Sequence, residues 1–423
     1  MRTTMRMETV REFRVASNSY SAEYGRSAGG QVNVLTKSGS NRLAGTGFWF
    51  HRNDTLDARN HFDVDAKPTF WRHQTGGTVG GPLRTDHLFF FGGFEGLYEN
   101  LGRTIVTTVP DDDARRGVLP TGPVTISPNT LPYLLEFPVA NGPSLGGGLA
   151  QYRFGFDQRL TQNFAQGRVD AVPSAGSLLF VRYTFDDASQ ELPTDYPQFP
   201  RAFVSTNQFL TAEYRRTLSP ATFGTARFGF SRTKIAQTVE SNTTQAVSPF
   251  VPGRPTMGAI DIGGLPRFGP QLSADLVLEQ DVFSGQADVT HARGSHLLKA
   301  GALVERYGAS EFNPTFSRGV HRFASLATFL AGTSASFIGL TPEGDVNRAW
   351  DWTLFGGYVQ DDWSAARDLT VNAGLRLEAA TVPVDPRDVN MQPPEVRHEN
   401  GRNRTSRREA ESGAASCHAR DGN

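Results

Sequence analysis

Leu179-Phe180-Val181-Arg182-Tyr183-Thr184-Phe185 reads as an extended segment with two unlike faces. Side chains alternate across a strand, so Leu179, Val181, Tyr183 and Phe185 fall on one face, while Arg182 and Thr184 fall on the other. The same pattern returns near the end of the chain. There Leu369, Val371, Ala373, Leu375 and Leu377 stand opposite Thr370, Asn372, Gly374, Arg376 and Glu378. Each of these stretches belongs to a recurring unit: an extended segment, a short turn, a second extended segment and a long polar connection. The paired segments are 73–81 with 88–98, 164–172 with 178–185, 208–215 with 222–231, 282–290 with 296–307, and 353–361 with 369–378. The long connections, at 100–150, 188–206, 236–274 and 308–350, are rich in Pro, Gly, Asp and Asn. Short turns at one end and long loops at the other is the layout of an outer-membrane barrel, whereas a soluble sandwich uses more even connections. Within the last connection Phe323, Leu326, Phe329 and Leu330 have helical spacing and predict one short helix.

Composition agrees with a β-rich chain. Of 423 residues, 44 are Gly and 30 are Phe, and hydrophobic residues reach only 38%. No stretch approaches the run of about 18 apolar residues that a membrane helix needs. Modest average hydrophobicity does not argue against a barrel, because only every second residue faces lipid. The net charge of -1 gives no general attraction to nucleic acid or anionic surfaces. A single cysteine, Cys417, excludes an internal disulfide and any cysteine-based metal site. Met1 to Arg14 hold no apolar core of a secretory signal, so either the protein stays in the cytosol or its true beginning lies outside this chain.

Three runs carry a family resemblance. Tyr20-Ser21-Ala22-Glu23-Tyr24-Gly25-Arg26-Ser27-Ala28-Gly29-Gly30-Gln31-Val32-Asn33-Val34-Leu35-Thr36-Lys37-Ser38-Gly39 resembles the end of the plug in TonB-dependent receptors, especially the Oar-like group. Phe50-His51-Arg52-Asn53-Asp54, Gly76-Gly77-Thr78-Val79-Gly80-Gly81-Pro82 and Phe89-Phe90-Phe91-Gly92-Gly93-Phe94-Glu95-Gly96 look like the opening barrel strands of that group. Tyr358-Val359-Gln360-Asp361-Asp362-Trp363, leading to Leu369 through Arg376, resembles a mid-barrel hairpin.

The resemblance implies an all-β, antiparallel transmembrane barrel of about 22 strands with a plugged lumen. It also implies a place in the outer membrane, contact with its lipid, energy from the TonB complex, and binding or uptake of a scarce solute that is a small molecule, glycan or peptide. No cofactor is implied. The expected organisation is the remnant of a plug over 1–40, the first part of the barrel over 41–381 and a disordered tail over 382–423. The hairpin repeat gives about eleven strands to the barrel part. No TonB-contacting box is found and the closing strands are missing, so the chain reads as a truncated receptor that does not transport alone. Unpaired strand edges in lipid cost several kcal/mol per polar group, which is the physical ground for that expectation. A frameshift is the preferred reading of the tail, because the barrel pattern stops in mid-course and arginine crowds the residues after Val396. Two other readings stand beside this one: a non-transporting surface or adhesion protein on the same barrel, and a secreted soluble β-sandwich or glycan-processing protein.

Other motifs have plain readings. Gly25-Arg26-Ser27-Ala28-Gly29 matches the turn that exposes a hydrolase serine, but a strand and not a helix comes after it, so a glycine turn is preferred and no catalytic residue is assigned. His51, His61, His73 and His87 are too widely spaced for a local metal motif and read as loop or lumen residues. Asp111-Asp112-Asp113 lacks the alternating acid spacing of a calcium loop. Trp49, Trp71, Trp352, Trp363, Tyr98, Tyr183 and Tyr358 are expected in aromatic girdles, with a carbohydrate platform as the less favoured use. Arg168, Asp170 and Arg182 are expected to face the lumen, where charge is tolerated.

Overall fold

The computed structural model describes residues 7–16, 21–25, 30–58 and 67–387. Most of the glycine turn over Gly25–Gly29, together with His61, Cys417 and the tail beyond residue 387, lies outside the described residues.

A small antiparallel hairpin comes first, formed by β1 (Val10–Ala16) and β2 (Gln31–Thr36). Eleven long strands come next: β3 (Ala44–Asn53), β4 (Phe70–Arg84), β5 (Leu88–Pro110), β6 (Leu149–Ala171), β7 (Ser177–Leu192), β8 (Arg201–Ser219), β9 (Thr222–Val239), β10 (Val277–Arg293), β11 (His296–Phe312), β12 (Asn347–Ala366) and β13 (Leu369–Ala380). Each pairs with its neighbours in sequence, so the sheet is an up-and-down meander from β3 to β13. A short strand, Ser144–Gly146, adds to β6. In this order every connection is a hairpin, which is the simplest way to satisfy backbone groups across a membrane.

The meander is inside out relative to a soluble sheet. On β7, Val181 and Tyr183 are 40% and 43% exposed, whereas Thr184 and Asp186 on the opposite face are 6% and 1% exposed. The parity carries from strand to strand through the register. Arg182 pairs with Arg168 and Thr211, Thr211 with Gly229, Gly229 with Ser284, and Ser284 with Glu305. These polar and small residues line the inner face. Phe228, Phe283, Val304, Phe355, Val359, Leu375 and Leu377 lie on the outer face and are exposed. A face of this kind is stable only against an apolar solvent.

Strands run further than the sequence pattern indicates. β5 continues to Pro110 and β6 begins at Leu149, so the connection between them shrinks to 111–148; the other long connections shrink to 193–200, 240–276 and 313–346. Asn100 and Gly102 read as loop, and Gly155 and Gln158 fall between that loop and the next extended segment, yet all four sit in register across the β5–β6 pair. Pairing with a partner strand overrides their weak local preference.

Most of the fully buried apolar side chains sit in these connections, with Val109, Phe164 and Ala188 buried on β5, β6 and β7. Phe137 stacks on Phe268 at 4.0 Å, Tyr196 packs edge-on to both, and Phe329 meets Phe137 and Phe323. The Tyr196 hydroxyl donates to the carbonyl of Thr108 at 2.8 Å, tying the layer to β5. Strand Ala259–Ile262 pairs parallel with Val320–Phe323, which pairs antiparallel with Ser336–Ile338. Helix α1 (Leu131–Glu136) joins the same core, and α2 (Leu326–Leu330) starts at a capping box on Ser325 and Thr328. The helix expected from Phe323, Leu326, Phe329 and Leu330 is present as α2, with Phe323 on the strand before it.

Candidate functional site

The β1–β2 hairpin lies against the inner face of the sheet, and the seam between them is the candidate functional surface. Three contacts make it. At the first, Thr36 at the end of β2 offers its hydroxyl oxygen to two guanidinium groups, Arg168 Nη1 at 3.0 Å and Arg182 Nη1 at 3.3 Å. Arg168 also holds Asp170 through two nitrogens and lies over the Phe180 ring at 4.2 Å. Arg182 donates to Thr211 Oγ1 at 3.2 Å. Arg168, Asp170 and Arg182 thus face inward.

At the second contact the chain leaves the hairpin beside the β4–β5 turn. The backbone N–H of Lys37 donates to the Thr9 carbonyl at 2.9 Å, and the Lys37 ammonium lies 3.6 Å from Glu8. A side chain at Gly39 would collide with the carbonyls of Phe90 and Gly81 and the Phe89 side chain, and a Cβ added to Gly80 would stand 3.6 Å from the Gly39 Cα. Gly80 and Gly81, with Phe89 and Phe90 beside them, therefore form the floor over which the linker passes. Asn41 then exchanges two hydrogen bonds with Asp86 in the turn: its amide donates to the carboxylate at 2.5 Å, and the Asp86 N–H donates back at 2.8 Å.

The third contact is on β12 and β13. Gln360 Oε1 accepts from the Ser21 hydroxyl at 2.8 Å and from the Ala22 N–H at 2.7 Å. Arg376 donates to the carbonyls of Glu23 at 2.8 Å and Ala22 at 3.3 Å. Gln360 Nε2 donates to Asp362 at 2.6 Å, and Lys299 reaches the other oxygen of Asp362 at 2.6 Å. Tyr24 and Asn33 meet each other behind this point, with the Asn33 amide 3.5 Å from the Tyr24 hydroxyl. Burial raises the Glu23 carboxyl above its ordinary pKa and nearby Asp288 adds to this, while Arg227, Lys299 and Arg376 pull it back.

Period two divides the Gln360-Asp361-Asp362-Trp363 motif into two pairs. Gln360 and Asp362 point inward to the hairpin. Asp361 and Trp363 point outward, where His296 bonds Asp361 at 2.7 Å and stacks on Trp363 at 5.6 Å. Arg52 and Asn53 do not join the seam. They close the long-loop end of β3, with Arg52 on Asp57 at 2.9 Å and over Phe70, and Asn53 accepting from the Thr55 N–H at 3.2 Å. Gly25 borders Arg376 and Glu378, Gly30 leads into β2, and Gly29 lies outside the described residues.

Two aromatic expectations are corrected. Trp352 and Tyr358 face the lumen and not the lipid: Trp352 stacks on Tyr307 at 4.7 Å, and the Tyr358 hydroxyl donates to Asp288 at 2.9 Å. They share the parity of Gln360, which settles their side. His51 and His73, expected in a loop or the lumen, lie on the outer face beside Trp49 and Trp71; the two histidine rings are 4.5 Å apart. Ser21, Ala22 and the pairing of Thr36 with Arg168 and Arg182 were not legible as contacts, although parity alone puts Gln360, Arg376 and Arg182 on the polar face. Among the described residues no group of three or more His, Cys, Asp or Glu side chains is placed to hold a metal.

A protein-family model described as "Outer membrane beta barrel domain" matches residues 35–396. The TonB-dependent transporter Oar of Myxococcus xanthus is 22% identical, over 88% of this chain and 40% of its own length. The solved outer membrane transporter YddB from Escherichia coli superposes with a TM-score of 0.54 at 10% identity, covering 87% of this chain and 43% of that one. The chain thus spans less than half the length of these two relatives.

Proposed function

Because this chain belongs to the outer membrane beta barrel domain family, we propose that it is the plug-to-barrel portion of a TonB-dependent transporter of the bacterial outer membrane. The chain is an outer-membrane β-barrel protein and not an enzyme; the transport activity, the solute and the coupling to TonB are the proposal. In this reading residues 1–40 are the end of a plug, 41–381 belong to the barrel, and 382–423 form a tail outside it. The observation that carries it is the hairpin held inside an inverted sheet at three separate points, with Thr36 between Arg168 and Arg182. A barrel serving only as an adhesin needs no interior element fastened to its wall. The hairpin also leaves Phe13, Val15 and Val32 exposed on one face, which suits the edge of a larger plug, since two strands alone are marginally stable.

The motif residues take their roles from this reading. Tyr24, Gly25, Gly29, Gly30, Asn33, Thr36, Lys37 and Gly39 form the end of the plug and its exit. Gly80, Gly81 and Pro82 receive the exit, and Gln360 and Asp362 face the plug. Asp361 and Trp363 set the strand at the membrane interface, and Arg52 and Asn53 fasten the first external loop.

The test is uptake by cells carrying or lacking the gene, in strains with and without TonB, using labelled ferric siderophores, cobalamin, oligosaccharides and peptides. One solute should enter only when both the gene and TonB are present. Uptake that ignores TonB, or no gene-dependent uptake while cell adhesion changes, overturns the transport reading.

A further inference from the structure

We infer that Gln360 and Arg376 are positioning residues that anchor Ser21–Gly25 to the barrel wall, making this turn the fixed end of the plug. This rests on the plug reading of residues 1–40. The side-chain oxygen of Gln360 accepts from the Ser21 hydroxyl at 2.8 Å and from the Ala22 N–H at 2.7 Å. The Arg376 guanidinium reaches two successive carbonyls, Ala22 at 3.3 Å and Glu23 at 2.8 Å. The turn therefore gives two donors and two acceptors to the wall, while the Glu23 and Tyr24 N–H groups bond back to Ser21 within the turn. The partners come from adjacent strands, and their hydrogen bonds are to backbone at Ala22 and Glu23.

The wall is shaped for this approach. A Cβ added to Gly374 would stand 2.8 Å from the Ala22 Cβ, and one added to Gly25 would run into Arg376 and Glu378. Arg376 is oriented by Glu378 at 2.7 Å, and Gln360 by the hydrogen bond its amide donates to Asp362, itself held by Lys299. Gln360 is thus pre-set by wall groups, and Arg376 by Glu378, which itself borders Gly25. The β2 end is held independently, by Arg168 and Arg182 on Thr36. The turn at Ser21–Gly25 and the end of β2 at Thr36 are thus fastened to the wall at two separate points.

Hydrogen exchange read by mass spectrometry, on the protein in detergent micelles, tests the assignment with Gln360→Leu, Arg376→Met and Arg376→Lys. Peptides covering 21–25 should be protected in the natural protein. They should exchange roughly tenfold faster in Gln360→Leu and Arg376→Met, because each removes hydrogen bonds from the same turn. Arg376→Lys, which keeps a donor, should retain most of the protection, and peptides covering 31–36 and the β11–β12 pair should be unchanged in all three. The unchanged barrel peptides show that the variants fold. Absence of protection at 21–25 in the natural protein, or protection that survives both Gln360→Leu and Arg376→Met, overturns the anchor. If Arg376→Lys loses as much as Arg376→Met, donation to the two carbonyls is not what holds the turn, and the role of Arg376 falls. Exchange does not depend on solute or TonB, so this result stands apart from the uptake experiment.

Discussion

Thr36 accepts from two cations through one hydroxyl oxygen. Thr36→Val keeps the shape and removes the acceptor, leaving Arg168 and Arg182 each one partner short. Because both retain other bonds, to Asp170 and Thr211, the cost should be about 1 kcal/mol, read as a lowered urea midpoint for release of the hairpin. On the outer face the logic reverses. Val181→Arg puts a charge into lipid and should cost about 2–4 kcal/mol in folding titrations into vesicles if it lies near mid-membrane. An arginine next door at 182 is already native and costs nothing of that kind. At this scale the sequence was legible as parity: the side of Val181, Arg182, Gln360 and Arg376 follows from alternation. What parity cannot say is which interior atom each inward group meets, because Ser21 and Gln360 are brought together only by the whole wall.

Elements differ in how much of them the chain shows beforehand. Hairpin cores such as β7 and β13 announce themselves by strict alternation, whereas the upper halves of β5 and β6 do not, since glycine and glutamine there are held by their partner strand. The β4–β5 turn depends on Asp86, which has a positive φ of 64° and is braced by Asn41. Asp86→Val should cost about 1–2 kcal/mol through left-handed backbone strain, and Asp86→Gly should recover most of that; thermal unfolding of the two variants checks it. The external loop layer carries its own pH response. His321 sits between Phe250 and Phe337, and burial lowers its pKa. The unfolded loop thus binds a proton more readily than the folded one. His321 therefore contributes stability that is lost as pH falls below the ordinary histidine value and through the lowered one. Amides of Val320–Phe323 should lose protection on acidification, after correction for intrinsic exchange, and His321→Phe should weaken that dependence.

Taken whole, the molecule keeps its close-packed apolar core in the external loops, its polar network on the inner wall and its exposed apolar surface where a soluble protein has charge. Sequence pattern shows the alternation and the unequal connections, and from these the barrel follows. It does not show that Phe137, Tyr196, Phe268 and Phe329, drawn from four different connections, share one core, because no local period links them. The central claim is the inverted sheet, and its most direct test is a cysteine scan of positions 179–186 in outer membranes, with Cys417 replaced, each site carrying a nitroxide label. Accessibility to oxygen, which concentrates in lipid, should be high at 179, 181 and 183 and low at 180, 182, 184 and 186, a strict alternation. Equal accessibility along the segment, or the opposite phase with the Arg182 side in lipid, would contradict the account.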